Sequence, residues 1–212
     1  MIFSLPLFPL PTVVLFPNVF LPLHIFEPRY RQMVADALAG DRIIGMVTLR
    51  PGHEDDYEGA PPIYLTGCSG LITHAESLDD GCYNLVLRGL EKFTIQGEAT
   101  AAPGRWYRSA VITPIDEAVP ATDRDELRQE RKKLQAILTP LFNGAFEGRL
   151  PEAMPDEDLV NALAQYMEFE PIEKLALLER HGPLARCRAM IELLEMKVMA
   201  KDTGLGNKGS VH

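Results

Sequence analysis

Residues 1–30 read MIFSLPLFPLPTVVLFPNVFLPLHIFEPRY, and the reading of this stretch decides the fold. Its first 26 residues contain no Asp, Glu, Lys or Arg, the pattern expected of a membrane span or a leader peptide. Pro6, Pro9, Pro11, Pro17 and Pro22 argue against a span, because a segment in lipid must satisfy its backbone as a continuous helix and prolines at this density break one. A leader is disfavoured because no basic region precedes the apolar run and no small-residue cleavage site follows it. The prolines instead hold the segment in extended and turn geometry, so it wraps a sheet without propagating as an aggregating edge. Strands are expected over Met1–Leu7 and Thr12–Phe16, separated by Pro9-Leu10-Pro11. Glu27 then stands before Pro28, which opens a helix with Tyr30, Met33, Val34, Ala37 and Leu38 on one face and Gly40 at its end.

Outward from this stretch, short strand-like runs continue to about residue 115. Ile43–Leu49 (IIGMVTL) is almost wholly apolar, as a strand covered on both faces should be. Ile63–Ile72 carries Gly67 and Gly70, which points to a bend or bulge. Asp79-Asp80-Gly81 is a hairpin signal ahead of the alternating run Cys82–Leu90, and Phe93–Ala99 and Trp106–Ile112 complete the set. Beyond Pro114, Asp116, Glu117 and Pro120 the period becomes helical. Four helices are expected, over Asp123–Phe142 (with Pro140 inside), Asp156–Glu168, Ile172–His181 and Leu184–Met199. The layout is therefore α+β: an antiparallel β subdomain with one inserted helix over residues 1–118, a three- to four-helix bundle over 119–200, and a flexible tail over 201–212.

The 212 residues carry 21 Lys plus Arg against 30 Asp plus Glu, a net charge of −9. General nucleic-acid affinity needs a basic footprint, so this balance argues against it. Cys68, Cys82 and Cys187 are an odd number without a C-x-x-C pair, which fits a reducing, cytoplasmic setting and neither a disulfide framework nor a zinc site. No G-x-S-x-G elbow or P-loop signature occurs, and Cys68 reads as a small buried thiol. Gly204-Leu205-Gly206-Asn207-Lys208-Gly209 matches a dinucleotide fingerprint literally but has no helix to follow it, so it carries no phosphate site. His53-Glu54-Asp55-Asp56-Tyr57-Glu58 lacks metal-loop spacing and reads as a solvated acidic loop. No catalytic residue, metal or cofactor is assigned. His24, inside an apolar run, is expected to be a core histidine, with a role in a small-molecule site at the β/helix seam as the alternative. Arg105-Trp106-Tyr107-Arg108 holds the single Trp; Trp106 is expected to pack in that seam, with stacking on RNA beside Arg105 and Arg108 as the alternative. Arg131-Lys132-Lys133 reads as an exposed helix face.

Leu5-Pro6-Leu7-Phe8-Pro9-Leu10, Val14-Leu15-Phe16-Pro17-Asn18, Leu21 through Tyr30 (LPLHIFEPRY) and Met33-Val34 closely resemble the N-terminal domain of Lon proteases. Gly67-Cys68-Ser69-Gly70 and Asp80 through Gly89, followed by Phe93, resemble the family's second strand pair, and the helical half resembles it less distinctively. The resemblance covers roughly residues 3 to 200. It implies a PUA-like β pseudo-barrel with a helical bundle, acting as a substrate-recognition and oligomer-organising domain. It further implies a standalone relative without ATPase or Ser-Lys peptidase modules. Lys92 stands where the family often has Arg before the Phe. The expected function is non-catalytic binding of unfolded or misfolded polypeptides, by strand addition or in an apolar groove. A protease and a second copy of the chain are the further partners this resemblance raises. Arg29 and Tyr30 are the groove candidates, with His24, Trp106 and Arg108 as further binding residues.

Overall fold

The computed structural model describes residues 3–53, 59–100, 103–141 and 154–202. The strands are β1 (Phe3–Leu10), β2 (Phe20–Ile25), β3 (Ile43–Leu49), β4 (Ile63–Ser77), β5 (Tyr83–Glu98) and β6 (Ser109–Ile115). The helices are α1 (Pro28–Ala39), α2 (Arg124–Leu141), α3 (Asp156–Tyr166), α4 (Pro171–Glu179) and α5 (Gly182–Asp202). The α+β layout is as expected. The acidic loop from Glu54 to Glu58 and the glycine-rich run from Gly204 lie outside the described residues.

The six strands run in the order β2-β5-β4-β3-β1-β6, and β5 also pairs with β6, which closes five of them into a ring. The closure depends on the length of β5. Its first half, Tyr83–Arg88, pairs with β2, and its second half, Lys92–Glu98, pairs with β6. The sheet is not purely antiparallel, because β1 runs parallel to β3, with Leu7 opposite Gly45 and Leu10 opposite Thr48. Parallel neighbours need a long crossover, and β2 with α1 supplies it.

β3 is apolar throughout because both its faces are covered. Ile44 and Met46 join Phe8, Leu15, Tyr30, Met33, Val34 and Ile72 in a cluster under α1. Val47 and Leu49 join Leu5, Leu7, Ile63, Phe93, Ile95 and Ala110, drawn from all five strands of the ring, and so form the barrel interior. Phe93 fits there because Gly67 has no side chain, since a Cβ at Gly67 would stand 2.6 Å from the Phe93 ring.

The sequence misplaces the second strand. Thr12–Phe16 is not extended into the sheet, and β2 is Phe20–Ile25. Val14, Leu15 and Phe16 are nonetheless buried, as coil. Buried backbone must find partners, and here they come from far along the chain. Phe16 N–H donates to the Gln165 side chain (3.1 Å) and Asn161 donates to the Pro17 carbonyl (3.1 Å). Gly89 exchanges backbone bonds with this loop, donating to Val19 and accepting from Asn18, both at 2.9 Å. Phe93 and Leu90 do not belong to separate strands, since β5 runs unbroken through both.

Two compact units emerge. The first comprises Met1–Glu117 with Asn161–Glu179, and the second comprises Ala118–Val160 with Arg180–His212. In the second, α2 packs on α5. Arg131 is buried there, donating to Asp156 at 2.6 Å and to the Met154 carbonyl at 2.9 Å, so the exposed-face reading of Arg131-Lys132-Lys133 fails at its first residue. Arg188 pairs with Glu126, and Arg186 and Cys187 are fully buried.

Candidate functional site: an apolar pocket in the barrel unit

The site residues read from sequence are scattered by the fold. Tyr30 is buried against Phe8, with ring centroids 4.5 Å apart, so it serves the core and not a groove wall. Arg29 lies 4.6 Å over the Tyr30 ring and pairs with Glu27 at 3.0 Å. His24 is exposed, contrary to the expected core position, and its Nδ1 lies 2.8 Å from Asn84 Oδ1. Trp106 is 67% exposed, and its neighbour Tyr107 takes the core position expected for it. Gln32 pins the Trp106 turn, accepting from Trp106 N–H at 2.9 Å and donating to the Gly104 carbonyl at 2.7 Å. Tyr107 donates to Asp36 at 2.7 Å, and burial with that hydrogen bond pushes its phenol up to about 12. Arg108 is committed to Glu98 and to the Pro61 carbonyl.

A concavity of the first unit lies elsewhere, with a volume of about 650 Å³, within the range of ligand pockets. Four segments build it. Pro11 and Thr12 lie just past β1, Thr48 and Leu49 end β3 and run into Arg50, Pro51 and His53, Tyr64 comes from β4, and Glu170, Pro171 and Ile172 open α4. Each is placed by local rules. The β3–β4 register shifts between Val47 and Leu49, and such bulges re-aim side chains near sites. Thr48 is buried at this bulge, and the Pro51-Gly52 turn, with Gly52 at φ +81°, leads away from it. Pro171 is a favourable first helical residue, and Glu173 reaches back to accept from Glu170 N–H at 2.8 Å, a capping-box arrangement that fixes where α4 begins.

The pocket wall is chiefly apolar, from Pro11, Leu49, Pro51, Pro171, Ile172 and the Tyr64 ring. Ile172 is 53% exposed although large and apolar. Arg50 is the charged group held in place. Its Nε donates to the Ile63 carbonyl at 3.3 Å and its guanidinium lies 5.3 Å over Tyr64. His53 and Glu170 complete the polar part of the lining. Sequence reading missed these residues because they join positions 11, 48–53, 64 and 170–172, which no motif connects.

A shallower concavity of about 350 Å³ lies on the outer ribbon, lined by Pro22, His24, His74, Glu76 and Asn84 among others. Among the described residues no group of three or more His, Cys, Asp or Glu side chains is arranged to hold a metal ion. Cys68, Cys82 and Cys187 are all buried free thiols. Among the described residues no helix is long and apolar enough to cross a membrane.

The first unit thus combines a closed ring of five strands with an open, chiefly apolar pocket. The family model for the ATP-dependent protease La (LON) substrate-binding domain matches residues 4–196, and the chain belongs to that family. It is 28% identical over 198 residues to Lon protease 2 of Myxococcus xanthus, covering 91% of this chain and 24% of that protein. It is 30% identical over 210 residues to the Lon protease of Flavobacterium johnsoniae, covering 96% and 25%. The chain thus spans about a quarter of the length of these relatives. Among solved structures, the Lon N-terminal domain protein from Xanthomonas campestris matches with a TM-score of 0.60 and 24% identity, covering 92% of this chain and 98% of that one. The N-terminal domain of the Mycobacterium avium complex Lon protease matches with a TM-score of 0.63 and 20% identity, covering 91% and 98%. These two likenesses establish the fold.

Proposed function

We propose that this chain is a non-catalytic module that captures apolar segments of non-native polypeptides, seating them in the pocket between the end of β3 and the start of α4. The observation that carries the reading is the open apolar pocket itself, walled by prolines, Leu49, Tyr64 and an exposed Ile172. An unfolded chain differs from a folded one in presenting large apolar side chains, and a pocket of this size accepts one with its flanking backbone. Membership of a substrate-binding family supports the reading, as do relatives named Lon protease. A protease acting on the captured chain belongs to the same proposal.

Strand addition to β2 has less support. Pro22 removes a donor from that edge strand, and Tyr166 already donates to the Phe20 carbonyl. The RNA reading retains one favourable observation, the exposed Trp106 beside Arg105, but Arg105 lies 4.0 Å from Asp36 and Arg108 is ion-paired. The test is a fluorescence-anisotropy titration with a permanently unfolded labelled polypeptide and, beside it, a labelled single-stranded RNA. Saturable binding of the polypeptide, weakened about tenfold or more by Ile172→Asp, is the expected result, because burying such a side chain contributes about 1.5–3 kcal/mol. Binding of the RNA alone would overturn the proposal.

A further inference from the structure

We infer that the pocket selects apolar residues that stand next to an Asp or Glu side chain in the captured chain, with Arg50 receiving the carboxylate. The inference rests on the polypeptide-binding reading and names its substrate class. Among the described residues Arg50, His53 and Glu170 are the Arg, Lys, His, Asp or Glu side chains that line the pocket. Among the described residues, Arg50 is the one of these whose charged group is fixed by two contacts, the Ile63 carbonyl at 3.3 Å and the Tyr64 ring at 5.3 Å. Neither contact is a hydrogen bond from the two terminal amino groups of the guanidinium, and a planar fork held in advance matches a carboxylate in two parallel hydrogen bonds. Preorganisation is what makes such a contact contribute to affinity, since less side-chain freedom is lost on binding. Leu49, Pro51 and Tyr64 line the pocket together with Arg50, so it offers apolar and cationic surface to one bound segment.

The chain as a whole carries a net charge of −9, which disfavours acidic ligands at long range. That field is screened beyond about 8 Å at physiological salt, whereas a direct contact is not. A phosphate polyanion fits less well, because one fixed cation can balance the single charge of a carboxylate but not the several charges of a polyphosphate or nucleic-acid backbone.

The test uses the full chain and three labelled peptides of one sequence frame. The first has Phe-Asp with an amidated end, the second has Phe-Asn with an amidated end, and the third has Phe-Asn with a free terminal carboxylate. The Asp peptide should bind about fivefold more tightly than its Asn counterpart, the size expected of one exposed charge pair. Arg50→Gln should bring that ratio to about one, and Arg50→Lys should retain part of the preference. A ratio unchanged by Arg50→Gln overturns the inference, as does preference for the free terminus alone, which would assign Arg50 to chain ends. If the unfolded polypeptide binds and the Asp peptide shows no preference, the capture reading stands and this inference falls. If the unfolded polypeptide itself does not bind, both fall.

Discussion

Replacing Gly89 by Ala tests how the fold holds the buried loop between β1 and β2. A Cβ added at Gly89 would stand 2.0 Å from the Phe16 carbonyl oxygen and 3.2 Å from the Pro17 Cα, both backbone atoms. No rotamer change relieves this, so the buried loop must retreat from β5 by about 1.4 Å or more to reach ordinary contact. The retreat breaks the two 2.9 Å backbone bonds between Gly89 and residues Val19 and Asn18. It also loosens Phe16, which is fully buried. Two hydrogen bonds at about 1 kcal/mol each and partial loss of an aromatic contact give a destabilisation of about 3–5 kcal/mol. At about 2–4 °C per kcal/mol for a chain of this size, the midpoint of thermal unfolding should fall by about 10 °C or more. Gly97 lies on the same strand and has nothing within 4 Å of an added Cβ. Gly97→Ala should therefore change stability by less than about 1 kcal/mol. Calorimetry on both variants decides the matter, and equal effects would refute the close-approach argument.

Further expectations concern charge, titration and exposure. Lys92 and Glu117 form a pair at 2.6 Å whose side chains are only 3% and 10% exposed. Lys92→Ala should cost about 3–5 kcal/mol in denaturant unfolding by removing the cation that balances the buried Glu117 carboxylate, whereas the double substitution Lys92→Met with Glu117→Leu should recover most of it. Burial pushes Cys187 up to about 12 from 9.0, with Glu130 adding to the shift, and Tyr107 rises to about 12 from 10.0. Groups whose folded pKa is raised contribute stability that is present below the unfolded pKa and lost as pH rises towards the folded value. Unfolding midpoints should thus decline above pH 9 and through 12, followed by circular dichroism. A thiol reagent at neutral pH should modify none of the buried Cys68, Cys82 and Cys187 until the chain unfolds. Trp106, 67% exposed, should emit as a solvated indole and be quenched by iodide in the native state, and Trp106→Ala should alter stability by less than about 0.5 kcal/mol.

The parts of the fold legible in the sequence are those governed by local rules. Pro28 and Gly40 bound α1 because proline suits a first helical residue and glycine a stop, and the face of Tyr30, Met33, Val34 and Ala37 is buried as its spacing requires. Asp80 and Gly81 make the turn before β5 through the Asp80 side chain, which accepts from Cys82 N–H at 2.9 Å, and through Gly81 at φ +79°. Elements defined by distant partners were not legible. β1 runs through Pro9 because its two halves pair with different strands, residues 3–6 with β6 and 7–10 with β3. The apolar run Val13–Phe16 looks like a strand, yet Gln165, Asn161 and Gly89 satisfy this loop as coil. His24 stands in an apolar run yet is exposed, because a single step along the extended β2 reverses the face, and Trp106 is exposed beside the buried Tyr107. Arg131 lies in a charged run yet is buried, because Asp156, 25 residues on, compensates it. The pocket shares this property, since its walls come from four segments joined only by folding.

The central claim is that polypeptide engages the β3–α4 pocket, and hydrogen–deuterium exchange of the chain with and without a saturating unfolded polypeptide tests it most directly. Slowed exchange confined to the segments holding Leu49, Arg50, Tyr64 and Ile172 is the result expected. Slowed exchange along Phe20–Ile25 with the pocket segments unchanged would contradict it and assign binding to the β2 edge.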